Sequence, residues 1–393
     1  MRIAQRIQKV PPYLFAEIDK KKEAAIEKGV DIINLGIGDP DQPTPAHIIN
    51  QLTKSARDPK THDYPPYEGT KEFRSAVSDW YLKRFGVNLD PQKEVISLIG
   101  SKEGIAHVFL AFIDPGDISL IPDPAYPVYK TGTLFANGEP YYMPLLEENG
   151  YLPDLDKIDE KIARKAKLIF LNYPNNPTGA IANKEYFKEV VDFAKKYDLL
   201  ICHDFAYSEL AYDGYQAPSF LEIDGARDVC LEFHSLSKTY NMTGWRIGFA
   251  VGSSEAVSAL SIIKTNVDSG IFKAIQEAGI TALSGPQDHI PRLINMYTER
   301  RDVVVDGLNQ LGWNIKPPKA TFYVWVPTPN SMNAIDFSNH ILDKTGIIVT
   351  PGIGYGQYGE GYVRIALTVD VPRLEEAISR LKKAEIFYDN QLL

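Results

Sequence analysis

Phe233-His234-Ser235-Leu236-Ser237-Lys238-Thr239-Tyr240-Asn241-Met242-Thr243-Gly244-Trp245-Arg246-Ile247-Gly248 decides how the rest of the chain reads. It opens at the end of one apolar run, 229–233, and closes by entering another, 247–251. Both runs have buried-strand character. Between them stands a lysine crowded by hydroxyls, with an arginine further on. A buried lysine amine with a depressed pKa can attack a carbonyl and form a Schiff base. Two hydroxyls and a guanidinium suit a phosphate monoester. A lone Ser-x-Ser-Lys is common, and most lysines are solvated surface charges. Arg246 adds weight, because an arginine entering an apolar strand is costly to bury unless an anion meets it.

The flanking runs belong to a series. Segments 95–99, 118–121, 168–171, 199–202, 229–233 and 247–251 all read as buried strands, and helical patterns such as 184–197 separate several of them. Such alternation predicts an α/β fold with a mostly parallel sheet. Ligands of these sheets bind beyond the carboxyl ends of the strands. Just past those ends come Gly100-Ser101-Lys102, Pro122-Asp123-Pro124-Ala125-Tyr126, Asn172-Tyr173-Pro174-Asn175-Asn176-Pro177-Thr178-Gly179, Asp204-Phe205-Ala206-Tyr207 and the Lys238 segment. Five strand ends are thereby aimed at one site.

From about residue 290 the pattern changes. A long helix over 293–311, strands at 322–326 and 362–367 and a closing helix over 372–385 predict a smaller α+β domain. The N-terminal segment, an extended arm followed by a helix to about Lys28, is expected to join it. The expected division is 1–45 for the arm and part of the small domain, 46–290 for the large domain and 291–393 for the rest of the small domain.

Bulk properties agree with a two-domain globular protein. The chain has 393 residues, 44% hydrophobic and 24% charged. A net charge of −9 argues against a nucleic-acid partner. No run approaches the length of a membrane span, and the opening residues lack the apolar stretch of a signal peptide. Cys202 and Cys230 lie in apolar surroundings and read as buried thiols rather than a disulfide or metal pair, so a cytoplasmic setting without a metal is expected.

A carbonyl that accepts an amine, joined to a phosphate, describes pyridoxal 5′-phosphate (PLP). Ser101 at a helix start either helps bind the phosphate or is an ordinary N-cap. Asp204 ends an apolar strand, where a carboxylate is costly unless paired. Held against a pyridine nitrogen it would keep that nitrogen protonated and the ring an electron sink; otherwise it caps a loop. Tyr207 and Asn176 are candidate donors to the ring's phenolate oxygen, although Asn-Pro-Thr-Gly is good turn chemistry by itself. Tyr126 is placed to stack on the ring or simply to pack. Arg364, within an apolar strand, suits either a substrate carboxylate or an interdomain ion pair.

Assembled in this order, Asn175-Asn176-Pro177-Thr178-Gly179, Asp204-x-x-Tyr207, Ser235-x-Ser237-Lys238 followed by Gly244-x-Arg246-x-Gly248, and Tyr362-Val363-Arg364-Ile365 resemble the class I/II PLP-dependent aminotransferases of fold type I over nearly the whole chain. The resemblance implies an aspartate aminotransferase-like fold and a homodimer with shared active sites. It implies Lys238 as the Schiff-base lysine and proton shuttle, Asp204 at the ring nitrogen, Tyr207 and Asn176 at the ring oxygen and Tyr126 on the ring face. Ser101, Lys102, Ser235, Ser237 and Arg246 would hold the phosphate, joined by Tyr64 from the neighbouring subunit. Gly38 and Arg364 would meet the substrate carboxylate. The segments around Tyr13, Gly38, Ser101, Asp123–Tyr129 and 264–270, the last containing Ser269, are similar to the LL-diaminopimelate aminotransferase group. That implies exchange of an amino group between LL-2,6-diaminopimelate and 2-oxoglutarate, in lysine biosynthesis. Aspartate, alanine and aromatic aminotransferases share most of these segments, and PLP-dependent C–S β-lyases share the lysine and aspartate, so both stand as alternatives.

Overall fold

The structure is a computed structural model that describes residues 2–10, 22–23, 26–27, 29–329 and 332–388. The expected N-terminal helix falls largely outside these residues, and a short helix, Gln5–Gln8, stands where an extended arm was expected.

Among the described residues there are three sheets. The strands in chain order are β1 (Ile33–Asn34), β2 (Val95–Leu98), β3 (Ile118–Asp123), β4 (Glu139–Pro144), β5 (Ala166–Leu171), β6 (Leu200–Asp204), β7 (Cys230–Ser235), β8 (Gly248–Gly252), β9 (Tyr323–Pro327), β10 (Ile347–Ile348), β11 (Thr350–Pro351) and β12 (Tyr362–Ala366). The main sheet runs β2-β8-β7-β6-β5-β3-β4. It is parallel except for β8, which is antiparallel to both β2 and β7. The six strands read from sequence are all present. β4 was not read, because Pro140 and Pro144 and a half-exposed face hide its pattern. Prolines are tolerated there because β4 is an edge strand, where a missing N–H breaks no ladder.

Both faces of this sheet are covered, which explains the continuous apolar runs. Ile96, Leu98, Phe170, Cys202 and Phe233 face one cluster, packed against helices Ser101–Phe112, Val128–Phe135 and Ser254–Val267. Val95, Ile169, Ile201 and Phe249 face the other, against Lys71–Phe85, Lys184–Tyr197 and Lys273–Ser284. Cys202 and Asp204 therefore share the first face, while His203 points to the second. There a buried polar knot ties β6 and β7 to helix Lys71–Phe85 and the turn at Ser219. Glu232 accepts from Tyr81 Oη at 2.6 Å, from Phe220 N at 2.8 Å and from the Ser219 hydroxyl, and pairs with His203 Nδ1 at 2.8 Å. These partners hold the Glu232 carboxyl below its ordinary range despite burial.

A third cluster unites Ile33 and Leu35 with the long helix His289–Gln310, β9, β12 and helix Val371–Lys383. β1 pairs in parallel with β10, so the N-terminal segment is stitched to residues near 347. β9, β11 and β12 form a small antiparallel sheet that presents Arg364.

The second face is a suitable place to test packing. Phe187 is fully buried and stacks on Phe220 with centroids 3.8 Å apart and planes 13° from parallel. Phe187→Ala is expected to cost about 3–5 kcal/mol. Urea unfolding should show a lower midpoint with an unchanged slope; an unmoved midpoint would show that this stack does not hold the helix.

Candidate active site

One cavity of about 410 Å³ opens beyond the carboxyl ends of β5, β6 and β7. It is lined by Gly38, Ser101, Lys102, Tyr126, Asn176, Asp204, Tyr207, Ser235, Ser237, Lys238, Arg246 and Arg364, twelve of the residues singled out from sequence. Tyr64 and Ser269 are not in it: both are exposed, Tyr64 to 85%. Tyr13 lies outside the described residues.

Lys238 follows β7 on a single helical turn, Leu236–Thr239, capped by Ser235, whose hydroxyl accepts from Ser237 N at 3.2 Å. That cap swings the lysine into the cavity. Its Nζ donates to Gly38 O at 2.9 Å and lies 5.4 Å from the Phe322 ring centre. Burial pulls the amine down to about 8, with Arg364 and Arg246 acting the same way and Asp39 opposing. The Gly38 backbone can come so close only because it has no side chain: a Cβ there would lie 2.0 Å from Tyr323 Oη.

Asp204 ends β6, buried at the wall of the cavity. Its Oδ2 accepts from Tyr129 Oη at 2.8 Å, and its Oδ1 has no hydrogen-bond partner among the described residues. Burial raises this carboxyl to about 6, against the hydrogen bond from Tyr129, which favours the anion. Tyr207 Oη meets Tyr323 Oη at 3.1 Å, and burial drives its phenol well above the usual range.

Gly100, left-handed at φ 73°, precedes helix Ser101–Phe112, and no side chain caps that helix. Ser101 is therefore not an N-cap but the first residue of the helix, whose opening N–H groups no side chain caps and whose Ser101 and Lys102 line the cavity. Arg246 stands against this turn; a Cβ on Gly100 would lie 2.3 Å from its Nη2. The sequence placed Arg246 at the mouth of a buried strand. Instead β8 begins at Gly248, and Arg246 is exposed and left-handed at φ 55°, donating to Thr243 O at 2.8 Å. A non-glycine residue is rarely left-handed without surrounding structure to hold it.

Arg364 on β12 is buried. It donates to Asn176 Oδ1 at 2.8 Å and to Gly36 O at 2.7 Å, and its guanidinium lies 4.1 Å from the Tyr323 ring centre. Asn176 is presented by Asn172, whose Oδ1 accepts Asn176 N at 2.7 Å while its Nδ2 donates to Asp204 O at 2.7 Å. Tyr126 is half-buried, and Lys102 Nζ lies 5.6 Å from its ring centre. Sequence reasoning missed Asp39, Asn172, Thr243, Tyr323 and Tyr355 in the lining, and Tyr129 behind it. The signal for Tyr129 was its place in the first turn of helix Val128–Phe135, directly after the Pro122–Tyr126 segment already singled out.

An enclosed amine, a carboxylate with one oxygen unpartnered and an uncapped helix start are the parts of an amino-group transferase. The chain belongs to the family of aminotransferases of class I and II, whose model matches residues 30–381. It is 59% identical over 386 residues to an LL-diaminopimelate aminotransferase of Halothermothrix orenii, covering 98% of this chain and 99% of that one. A relative in Aquifex aeolicus with the same activity is 53% identical, over 98% and 99% of the two chains. Among solved structures, a double mutant of the aspartate aminotransferase of Thermus thermophilus superposes with a TM-score of 0.92 at 27% identity, covering 98% and 100%, so the fold is that of fold type I.

The Lys238 amine gives a direct test. In the protein without cofactor, labelling of this residue by an acylating reagent, followed by mass spectrometry across pH, is expected to reach half its maximal rate near pH 8. An inflection in the ordinary lysine range would contradict an enclosed, easily deprotonated amine.

Proposed function

We propose that the chain binds PLP through Lys238 and transfers an amino group between LL-2,6-diaminopimelate and 2-oxoglutarate. The observation that carries the cofactor is the unpartnered Oδ1 of buried Asp204, in the same cavity as the Lys238 amine and the uncapped helix start. A buried carboxylate oxygen calls for a donor, and a protonated ring nitrogen is one. The substrate reading is supported by full-length relatives of that activity at 53–59% identity.

When bound, PLP supplies a carbonyl for the amine and a ring that takes up the electrons of a broken Cα–H bond. Lys238 is the residue to hold it, and, once released by an incoming amino acid, to take the Cα proton and return it one carbon away. Its low proton affinity suits both tasks near neutral pH. Asp204 keeps the ring nitrogen protonated. Tyr207 and Asn176 would hold the ring oxygen, and Tyr126 would pack against the ring. The N–H groups of the helix start, Ser101, Lys102, Ser235, Ser237 and Arg246 neutralise and orient the phosphate. Arg364 takes the substrate carboxylate beside Gly38, with Asn176 and Gly36 O fixing the guanidinium plane.

Tyr64 and Ser269 are exposed and stand apart from the cavity of their own chain. We assign them to the cavity of a second copy in a homodimer, Tyr64 toward the phosphate and Ser269, with Tyr13, toward the substrate. The division of the chain near residues 45 and 290 belongs to the same proposal, with the third core cluster as the core of the smaller domain.

Borohydride treatment of the PLP-loaded protein is expected to fix one adduct, on the peptide carrying Lys238, and Lys238→Ala should abolish it; an adduct on another lysine would reassign the residue. Asp204→Ala should still bind PLP but lose about 100-fold or more in kcat, the scale of removing one preorganised electrostatic partner.

A further inference from the structure

We propose that Tyr129 is a positioning residue for amino transfer: its hydroxyl holds Asp204 Oδ2, so that the carboxylate stays ionised and turns Oδ1 to the cofactor's ring nitrogen. The inference rests on the role of Asp204 proposed above and extends it to a side chain that touches neither cofactor nor substrate.

Tyr129 is fully buried and donates to Asp204 Oδ2 at 2.8 Å. The phenol, pushed well above its ordinary range by burial and by the Asp204 charge, keeps its proton, so at this contact it acts only as a donor. Its ring cannot swing away. It stacks on Phe170 of β5, centroids 5.0 Å apart and 24° from parallel. Phe170 in turn stacks on Phe109 at 4.7 Å and 12°. Phe170 lies opposite Cys202 in the β5–β6 ladder, one strand from Asp204 and on the same sheet face. The Tyr129 carbonyl is also held, accepting from Thr133 Oγ1 at 2.8 Å. The donor is thus fixed to the same rigid layer as the acceptor, and a carboxylate with one oxygen pinned has one oxygen left to present.

The charge of Asp204 needs this support. The titratable groups acting on it are Tyr129, Lys238 beyond β7, Tyr207 three residues on and His203 across the sheet. His203 is engaged with Glu232 on the opposite face, and Lys238 is committed to the cofactor in the loaded protein. Tyr129 is the side-chain donor to the carboxylate among the described residues, and the Ala206 backbone N–H favours the anion more weakly. Hydrogen bonding to the charged form favours that form. Without it the burial cost is less opposed, and Asp204 takes up a proton at higher pH.

The sign follows from the raised carboxyl. Asp204 sits at about 6 in the folded chain, so the anion needed for a protonated ring nitrogen is lost as pH falls through that region. PLP affinity of the cofactor-free protein, followed by absorbance between pH 5 and 9, is therefore expected to weaken in two steps on the acid side, the first as the Lys238 amine takes up a proton near 8 and the second, the lower limb near 6, as Asp204 does. In Tyr129→Phe, which keeps the stacked ring, the lower limb should move up by about one pH unit or more, the order set by losing a hydrogen bond to a buried charge. Asp204→Asn should lack the limb. An unmoved limb in folded Tyr129→Phe, with the limb present in wild type and absent in Asp204→Asn, overturns the role of Tyr129 and leaves the cofactor assignment standing. Failure of the wild type to bind PLP overturns both. If Tyr129→Phe does not fold, Phe170→Leu releases the ring while keeping the hydroxyl: an upward shift of the limb supports the proposal and an unmoved limb overturns it.

Discussion

Asp204 and Lys238 have to be enclosed together, although each is more stable in water. Enclosure raises the carboxyl to about 6 and lowers the amine to about 8, so both charged forms are disfavoured by the fold that houses them. Both shifts act against the stability of the empty protein near neutral pH, where an unfolded chain would carry both charges freely. Local stability is given up for reactivity, as is common at functional sites. Much of the surrounding structure can be understood as what keeps those two groups in place.

Three devices do so. The parallel sheet delivers β6 and β7 side by side, Asp204 opposite Phe233, so that the carboxylate and the lysine turn leave the sheet at one edge. The rigid layer of Phe109, Phe170 and Tyr129 pins one carboxylate oxygen from the front. The knot of Glu232, His203, Tyr81 and Ser219 ties β6 and β7 from behind. Two close approaches complete the cavity, Gly38 against Tyr323 and Gly100 against Arg246, and neither leaves room for a Cβ.

The parts legible in sequence were those with strong local signals. The strands of the main sheet are buried on both faces and so announce themselves as apolar runs; β4, exposed and proline-bearing at the edge, does not. Asp204, a polar residue closing an apolar strand, stood out against its neighbours, Asn176 stood out only within a turn-rich segment just past a strand, and both line the cavity. Arg246 was assigned to the right place for a partly wrong reason, since its turn conformation leaves no periodic trace. Tyr323 and Tyr355 arrive from the far end of the chain, and their approach depends on how the small sheet packs, which no local pattern encodes. Tyr64 and Ser269 were recognised by resemblance, and they stand outside the cavity of their own chain.

The account turns on amino transfer from a substrate with a second amino acid centre. The most direct measurement is the single-turnover half-reaction: PLP-loaded protein mixed separately with LL-2,6-diaminopimelate, aspartate, alanine and phenylalanine, with loss of the visible cofactor band followed in time. The account predicts conversion by LL-2,6-diaminopimelate with a second-order rate constant well above the other three, and recovery of the band on adding 2-oxoglutarate. Faster conversion by aspartate, alanine or phenylalanine, with LL-2,6-diaminopimelate inert, would contradict it.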